Sequence, residues 1–197
     1  ISLYEALQTR NLDPDVIEQM EYKKPVKAFI EMHIEQGKVL EHEKKKIGVV
    51  TGIAAPERFY VTVRGHADHS GATPMNLRHD ALCGAAKIIL GIEEITSMQE
   101  KPPVVGTVGV VDISPGAMNV IPGAVKLGVD IRSMSKVARD SVVTLVKEYI
   151  DVIAGKRGLT YTIEPIAQDR PVAMHPAMIA QIKEAAQSLG IEYMCMP

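Results

Sequence analysis

The sequence predicts an α+β protein: a two-layer sandwich of sheet and helices, inserted into an α/β domain of which the chain holds only part. Three observations carry this. The central stretch runs strand-strand-helix-strand-strand-helix-strand. Both of its helices present one apolar stripe. The two ends read instead as βα pieces of a larger sheet, which puts the partial domain at residues 1–47 and 168–197 and the inserted one at 48–167.

The elements follow in order. Ser2-Leu3-Tyr4-Glu5 is a capping-box pattern, so a short helix should run to about Thr9. Residues 11–24 are polar and are broken by Asp13-Pro14. Residues 26–34 alternate, with Ala28, Ile30, Met32 and Ile34 on one face and Phe29, Glu31 and His33 on the other, which predicts a strand. A short helix is expected over 36–43, then strands over 48–54 and 58–64. Residues 79–98 predict a helix whose apolar positions Ala81, Ala85, Ile88, Ile92 and Ile95 step by four and three. Strands are expected over 104–113 and 124–132. A second helix spans 136–154, with Ser135 as N-cap and Val142, Val146, Tyr149 and Ile153 on one face. Residues 159–166 read as a strand, 176–189 as a helix and 192–196 as the start of another strand. The two central helices should cover one face of an antiparallel or mixed sheet. The other face is left to water or to a partner.

Composition sets bounds on function. Apolar residues make up 46% of the 197, enough for a core, but aromatics are only 4% and Trp is absent. Aliphatic side chains must therefore fill the interior. The net charge is -2, with the basic run Lys44-Lys45-Lys46 beside Glu41 and Glu43. That distribution offers no stripe for tracking phosphates, so no nucleic-acid partner is expected. No apolar run reaches the length of a membrane span. Cys83 and Cys195 are isolated from each other; two lone cysteines point to a reducing, cytoplasmic setting. The chain opens at Ile1 without an initiator Met, and its natural start is expected to lie elsewhere.

Four places could carry chemistry. His33 ends a strand-like run, where α/β folds often present functional groups; it reads as a zinc ligand oriented by Glu31 or Glu35, or as a half-exposed strand histidine. The segment Gly65-His66-Ala67-Asp68-His69-Ser70-Gly71-Ala72-Thr73-Pro74-Met75 leaves a strand and leads to a helix. His69 could donate a hydrogen bond to an oxyanion, while Asp68 and Ser70 could simply satisfy turn backbone. Pro115-Gly116-Ala117-Met118-Asn119-Val120-Ile121-Pro122-Gly123 joins two strands with more residues than a hairpin needs. Asn119 is its one side chain with both donor and acceptor; the plainer reading is an Asn in a left-handed turn. Arg132 lies with Lys126 and Asp130 opposite the apolar face of Val125, Leu127, Val129 and Ile131. Its guanidinium could clamp a substrate carboxylate in two places, or pair with Asp130 at the surface.

Together these segments resemble the amidase, hydantoinase and carbamoylase branch of the M20 metallopeptidase-like hydrolases. That branch includes N-carbamoyl-L-amino acid hydrolases, allantoate amidohydrolases and β-ureidopropionases. The likeness rests on Glu31-Met32-His33-Ile34-Glu35-Gln36-Gly37, on His69-Ser70-Gly71-Ala72-Thr73-Pro74-Met75 with Arg78-His79-Asp80-Ala81-Leu82, on Gly106-Thr107-Val108-Gly109 leading to the Asn119 loop, and on Asp130-Ile131-Arg132.

The resemblance implies a ferredoxin-like lid and dimerisation domain inserted in a partial α/β zinc-hydrolase catalytic domain. It implies metal-dependent hydrolysis of the C–N bond of an N-carbamoyl or ureido substrate, in a homodimer. His33 would be one ligand of a centre of two divalent ions, of zinc, manganese, cobalt or nickel. Gln36 would contact the carbamoyl group, His69 would stabilise the oxyanion within or across the dimer, and Asn119 and Arg132 would hold a carboxylate. The remaining ligands are expected outside residues 1–197, so the chain alone should hold no catalytic metal tightly and be inactive. A stand-alone dimerisation or ligand-binding module, and an M20 aminoacylase or dipeptidase, are the alternatives.

Overall fold

The computed structural model describes residues 2–20 and 24–197. They fall into two compact units, Ile1–Lys38 and Val39–Pro197.

In the first unit the expected capping box forms. Ser2 Oγ accepts from the Glu5 N–H at 3.2 Å and the Glu5 carboxylate accepts from the Ser2 N–H at 2.9 Å, starting helix α1 (Leu3–Gln8). A 3-10 helix follows at Pro14–Met20. The polar stretch expected over 11–24 lies partly outside the described residues. The strand expected over 26–34 does not form. The backbone there takes no regular structure, and Phe29, Met32 and Ile34 are 79%, 97% and 81% exposed. Alternation supplies two faces, but a strand exists only where another strand accepts its ladder. No described strand pairs with this stretch.

In the second unit the helix expected over 36–43 shrinks to one turn, α2 (Val39–His42). Gly37 is a poor helix former at its start, and Lys44 adopts the left-handed conformation at its end, φ 54°. The strand expected over 48–54 is two strands, β1 (Ile47–Val50) and β2 (Gly52–Ile53), followed by β3 (Ala55–Arg64) and the short β4 (Asp68–His69). Helix α3 (Ala81–Ser97) leads to β5 (Val104–Ser114), β6 (Val120–Ile121) and β7 (Ala124–Ser133). Helix α4 (Lys136–Arg157), β8 (Thr160–Gln168), β9 (Val172–Ala173), α5 (Pro176–Ser188) and β10 (Tyr193–Met196) complete the unit. The break at Thr51 has a plain cause, a change of partner. β1 runs parallel to β10, while β2 runs antiparallel to β9. At the junction the Thr51 N–H donates to the Met196 carbonyl and the Thr51 carbonyl accepts from the Met174 N–H.

The main sheet is four-stranded and antiparallel, in the order β5-β7-β3-β8. Phe59, Val61 and Val63 of β3 and Val125, Leu127, Val129 and Ile131 of β7 point to one side and are buried. There they meet Ala85, Ile88 and Ile92 of α3 and Val142, Val146 and Ile150 of α4. The two helices thus form one layer over one face, as the periodicities predict. A Cβ on Gly91 would fall inside the Tyr149 ring, so glycine is what allows these helices their close approach. The opposite face carries Arg58, Tyr60, Lys126, Asp130 and Arg132, with Lys126 Nζ 3.8 Å from the Tyr60 ring centroid. Among the described residues no helix is long and apolar enough to cross a membrane.

One buried charge was not foreseen. Arg139, in the first turn of α4, is fully buried. Its guanidinium donates to the Asp169 carbonyl at 2.6 Å, to the Ala55 and Pro56 carbonyls at 3.3 and 3.4 Å, and to Asp140 at 3.0 Å. Glu57 stands 3.7 Å away and also accepts from Gln168 Nε2 at 3.2 Å. Arg139→Ala would remove the buried cation beside Glu57 and a donor to the Ala55 and Asp169 carbonyls, while Glu57 keeps Gln168 and Lys147 and the Pro56 carbonyl keeps the Asp169 N–H. We expect it to lower the unfolding free energy by about 3–5 kcal/mol, read from the urea midpoint. Lys136→Ala, which removes an exposed partner of Asp140, should cost less than about 1 kcal/mol.

Candidate functional site

The His69 segment and the Asn119 loop are far apart in sequence but are laced together. Asp68 and His69 of β4 pair with Ile121 and Val120 of β6. The Ser70 N–H donates to the Asn119 carbonyl at 3.0 Å, the Gly65 N–H to the Gly123 carbonyl at 2.8 Å and the Ala81 N–H to the Pro122 carbonyl at 3.1 Å. Two loops that looked like separate sites therefore form one rim. Both His69 and Asn119 are exposed on it.

The backbone decides the chemistry of the His69 ring. The Gly71 N–H lies 3.1 Å from His69 Nδ1. An amide N–H can only donate, so Nδ1 must accept. The proton of a neutral imidazole then sits on Nε2. This leaves an N–H donor aimed away from the turn, as an oxyanion ligand requires. The turn carbonyls are met not by Asp68 or Ser70 but by Arg78, which donates to the Ser70 and Thr73 carbonyls at 2.6 and 3.0 Å. His66 stands 3.8 Å from Asp68 with its ring exposed. His79 contacts the Arg157 carbonyl at 3.3 Å, at the C-terminal end of α4.

Arg132 lies at the other end of the unit. Ala124 of β7 pairs with Arg64 and Ser114, at the roots of the two loops. Arg132 is eight residues further along β7, about 26 Å at a strand's rise per residue. It grips Asp130 in two places, Nε at 2.9 Å and Nη2 at 2.8 Å. Arg58, which sequence reasoning missed, donates to the same carboxylate at 2.9 Å. Its signal was cross-strand register: Arg58 sits directly opposite Asp130. Two guanidiniums on one carboxylate leave a net positive patch. The Asp130 carboxyl is held below the ordinary carboxylate range, first by its hydrogen bond from Arg132, against the effect of burial, and with help from Arg58.

In the first unit His33 Nε2 is 3.7 Å from Glu31 Oε1, both side chains well exposed. Gln36 is exposed as well. Among the described residues no group of three or more His, Cys, Asp and Glu side chains could hold a metal ion. One imidazole beside one carboxylate falls short of the three or so protein ligands of a catalytic zinc, so these residues do not by themselves fit a metal centre.

The chain is a member of peptidase family M20/M25/M40, whose sequence profile matches residues 11–197. It is 39% identical, over 199 aligned positions, to an N-carbamoyl-L-amino acid amidohydrolase of Geobacillus stearothermophilus, covering 100% of this chain and 48% of that protein. It is 38% identical over 170 residues to a ureidoglycolate hydrolase of Arabidopsis thaliana, covering 86% of this chain and 36% of that protein. The crystal structure of an amidase of the hydantoinase/carbamoylase family from Burkholderia multivorans matches with a TM-score of 0.80 at 35% identity, over 83% of this chain and 40% of that one. The chain thus spans less than half the length of each of these relatives. The likenesses fall in the branch that the four sequence motifs resemble.

The Asp130 cluster yields a signed prediction. A carboxyl whose folded pKa is lowered contributes stability that is full above its unfolded value and is lost as pH falls through the folded one. Arg132→Met removes the first cause of the lowering, so the Asp130 carboxyl should rise toward the ordinary carboxylate range, with Arg58 still holding it down in part. A carbon NMR titration of Asp130 checks this, and the acid arm of the urea midpoint should flatten with it.

Proposed function

We propose that this chain is the central part of a metal-dependent amidohydrolase that cleaves the C–N bond of a small N-carbamoyl or ureido substrate, an N-carbamoyl-L-amino acid or allantoate. The observation that carries the reading is the His69 ring, held with Nδ1 as acceptor and Nε2–H as a free donor beside the Asn119 loop. The names of the relatives support the substrate class.

Each residue has a part that its chemistry suits. His69 Nε2–H donates to the oxygen that gains charge as the carbamoyl carbon becomes tetrahedral. A donor of this kind contributes roughly 10²–10³ in rate. Gln36 contacts the carbamoyl group through its amide. Asn119 and Arg132 hold the substrate carboxylate, with Arg58 adding to the positive patch around Asp130. His33 is one ligand of a two-metal centre and Glu31 orients its ring; the other ligands come from the rest of a longer protein.

The separation of about 26 Å along β7 supports a division of labour in a homodimer. No small substrate reaches from His69 to Arg132 of one subunit. One lid therefore lends Arg132 to one pocket and His69 with Asn119 to the pocket of its twin. The strand-helix-strand-strand-helix-strand order of β3, α3, β5, β7, α4 and β8 supports a ferredoxin-like lid over residues 48–167. The catalytic domain then takes residues 1–47 and 168–197, and α5 and β10 belong to it. Two exposed free thiols, Cys83 and Cys195, suit a reducing cytoplasm.

Two outcomes are expected. In the longer protein, His69→Ala should lower kcat on the best N-carbamoyl or ureido substrate about 10²–10³-fold; unchanged turnover would remove His69 from the reaction. The chain of residues 1–197, dialysed and assayed by elemental analysis, should retain well under one equivalent of zinc or manganese. Tight stoichiometric metal would mean that its own residues complete a site.

A further inference from the structure

We infer that Arg78 is the positioning residue for His69, fixing the ring's tautomer through the backbone of the intervening turn. The inference rests on the donor role proposed for His69, but it concerns a property of the ring that can be measured without turnover.

The geometry forms a short chain of contacts. Arg78 stands two residues before the N-terminal cap of α3, where Asp80 accepts from the Cys83 N–H at 3.0 Å. The neighbouring His79 carbonyl accepts from the His66 N–H at 2.9 Å. Arg78 is thus mounted on a rigid helix start. From there its guanidinium spans the turn and donates to the Ser70 carbonyl at 2.6 Å and the Thr73 carbonyl at 3.0 Å. Between those two carbonyls lies Gly71, whose N–H donates to His69 Nδ1 at 3.1 Å. The same turn closes on the His69 carbonyl, which accepts from the Ala72 and Thr73 N–H groups at 3.2 and 3.1 Å. Peptide planes are rigid. Fixing the Ser70 carbonyl therefore fixes the Gly71 N–H on the other side of the same plane. That N–H is the group that excludes a proton from Nδ1.

Arginine is suited to this task and lysine is not. Two carbonyls are met at once by one planar fork, through charge-assisted hydrogen bonds. An ammonium has three donors but no fixed fork, so it holds the two carbonyls less firmly in place. With the Ser70–Gly71 plane free to rotate, Nδ1 loses its fixed donor. The ring then samples both tautomers, and in one of them the outer nitrogen has no proton to give.

The test is nitrogen NMR of the histidine rings in this chain at about pH 8, above the ordinary histidine range. In the unmodified chain His69 should show a bare Nδ1 and a protonated Nε2. In Arg78→Ala the two nitrogen shifts should move toward each other as tautomers exchange, and Arg78→Lys should move them part of the way. Circular dichroism confirms that each variant is folded. Unchanged His69 shifts in a folded variant would overturn the inference. Loss of the fold in both variants would overturn it too, since Arg78 would then hold the domain and not the ring. In the longer protein, Arg78→Lys should lower kcat by roughly 10-fold while KM stays within about twofold, and should add nothing to His69→Ala. If His69→Ala left turnover intact while the shifts moved as described, the hydrolase role of His69 would fail and the tautomer control would stand.

Discussion

The period of two along β3 and β7 is the constraint on which the rest of the molecule depends. Phe59, Val61 and Val63 with Val125, Leu127, Val129 and Ile131 all turn to the helices. Given that, Arg58, Asp130 and Arg132 have nowhere to go but the opposite face. A slip of one residue in either strand would exchange the two sets and bury the guanidiniums. The positive patch is thus a consequence of core packing as much as of its own ion pairs. The same register fixes both ends of the sheet, so the loops that leave β3 and enter β7 arrive side by side and lace through β4 and β6.

Arg139 carries a charge into this apolar frame beside Glu57, and it is met there by several acceptors. Arg139 has five donors and meets three carbonyls and two carboxylates within the unit. A buried ion with fewer partners would weaken the start of α4; with these it ties the helix to both edges of the chain's path through the sheet. Arg78 does the same on a smaller scale, at a half-buried turn. In both cases a guanidinium replaces hydrogen bonds that a regular element would have supplied.

Much of the second unit was legible in the sequence because long elements carry a period. The helices over Ala81–Ser97 and Lys136–Arg157 and the strands over Val104–Ser114 and Ala124–Ser133 announce themselves through repeated apolar steps, and the second helix also through its Ser135 cap. What stayed hidden depends on partners. The stretch 26–34 alternates like a strand and forms none, because alternation says nothing of who pairs with it. Thr51 switches between two partner strands with no local mark. β4 and β6 are two residues each, too short for any period, so the joining of His69 to Asn119 could not be read. Of the site residues, His69, Asn119 and Arg132 stood out by type and by loop. Arg58 and Arg78 did not, since their importance lies in which acceptors they reach.

The clasp around Arg139 has one more implication. The carbonyls of Ala55, Pro56 and Asp169 converge on a single side chain, so the chain crosses into and out of the four-stranded sheet at nearly one point. Adjacent crossings are the topological condition for a cassette: a segment that recombination can splice into a host, enlarge or exchange while the host's own path stays unbroken. Arg139 lies between those two crossings and grips both, so any segment moved in this way would carry its fastening with it.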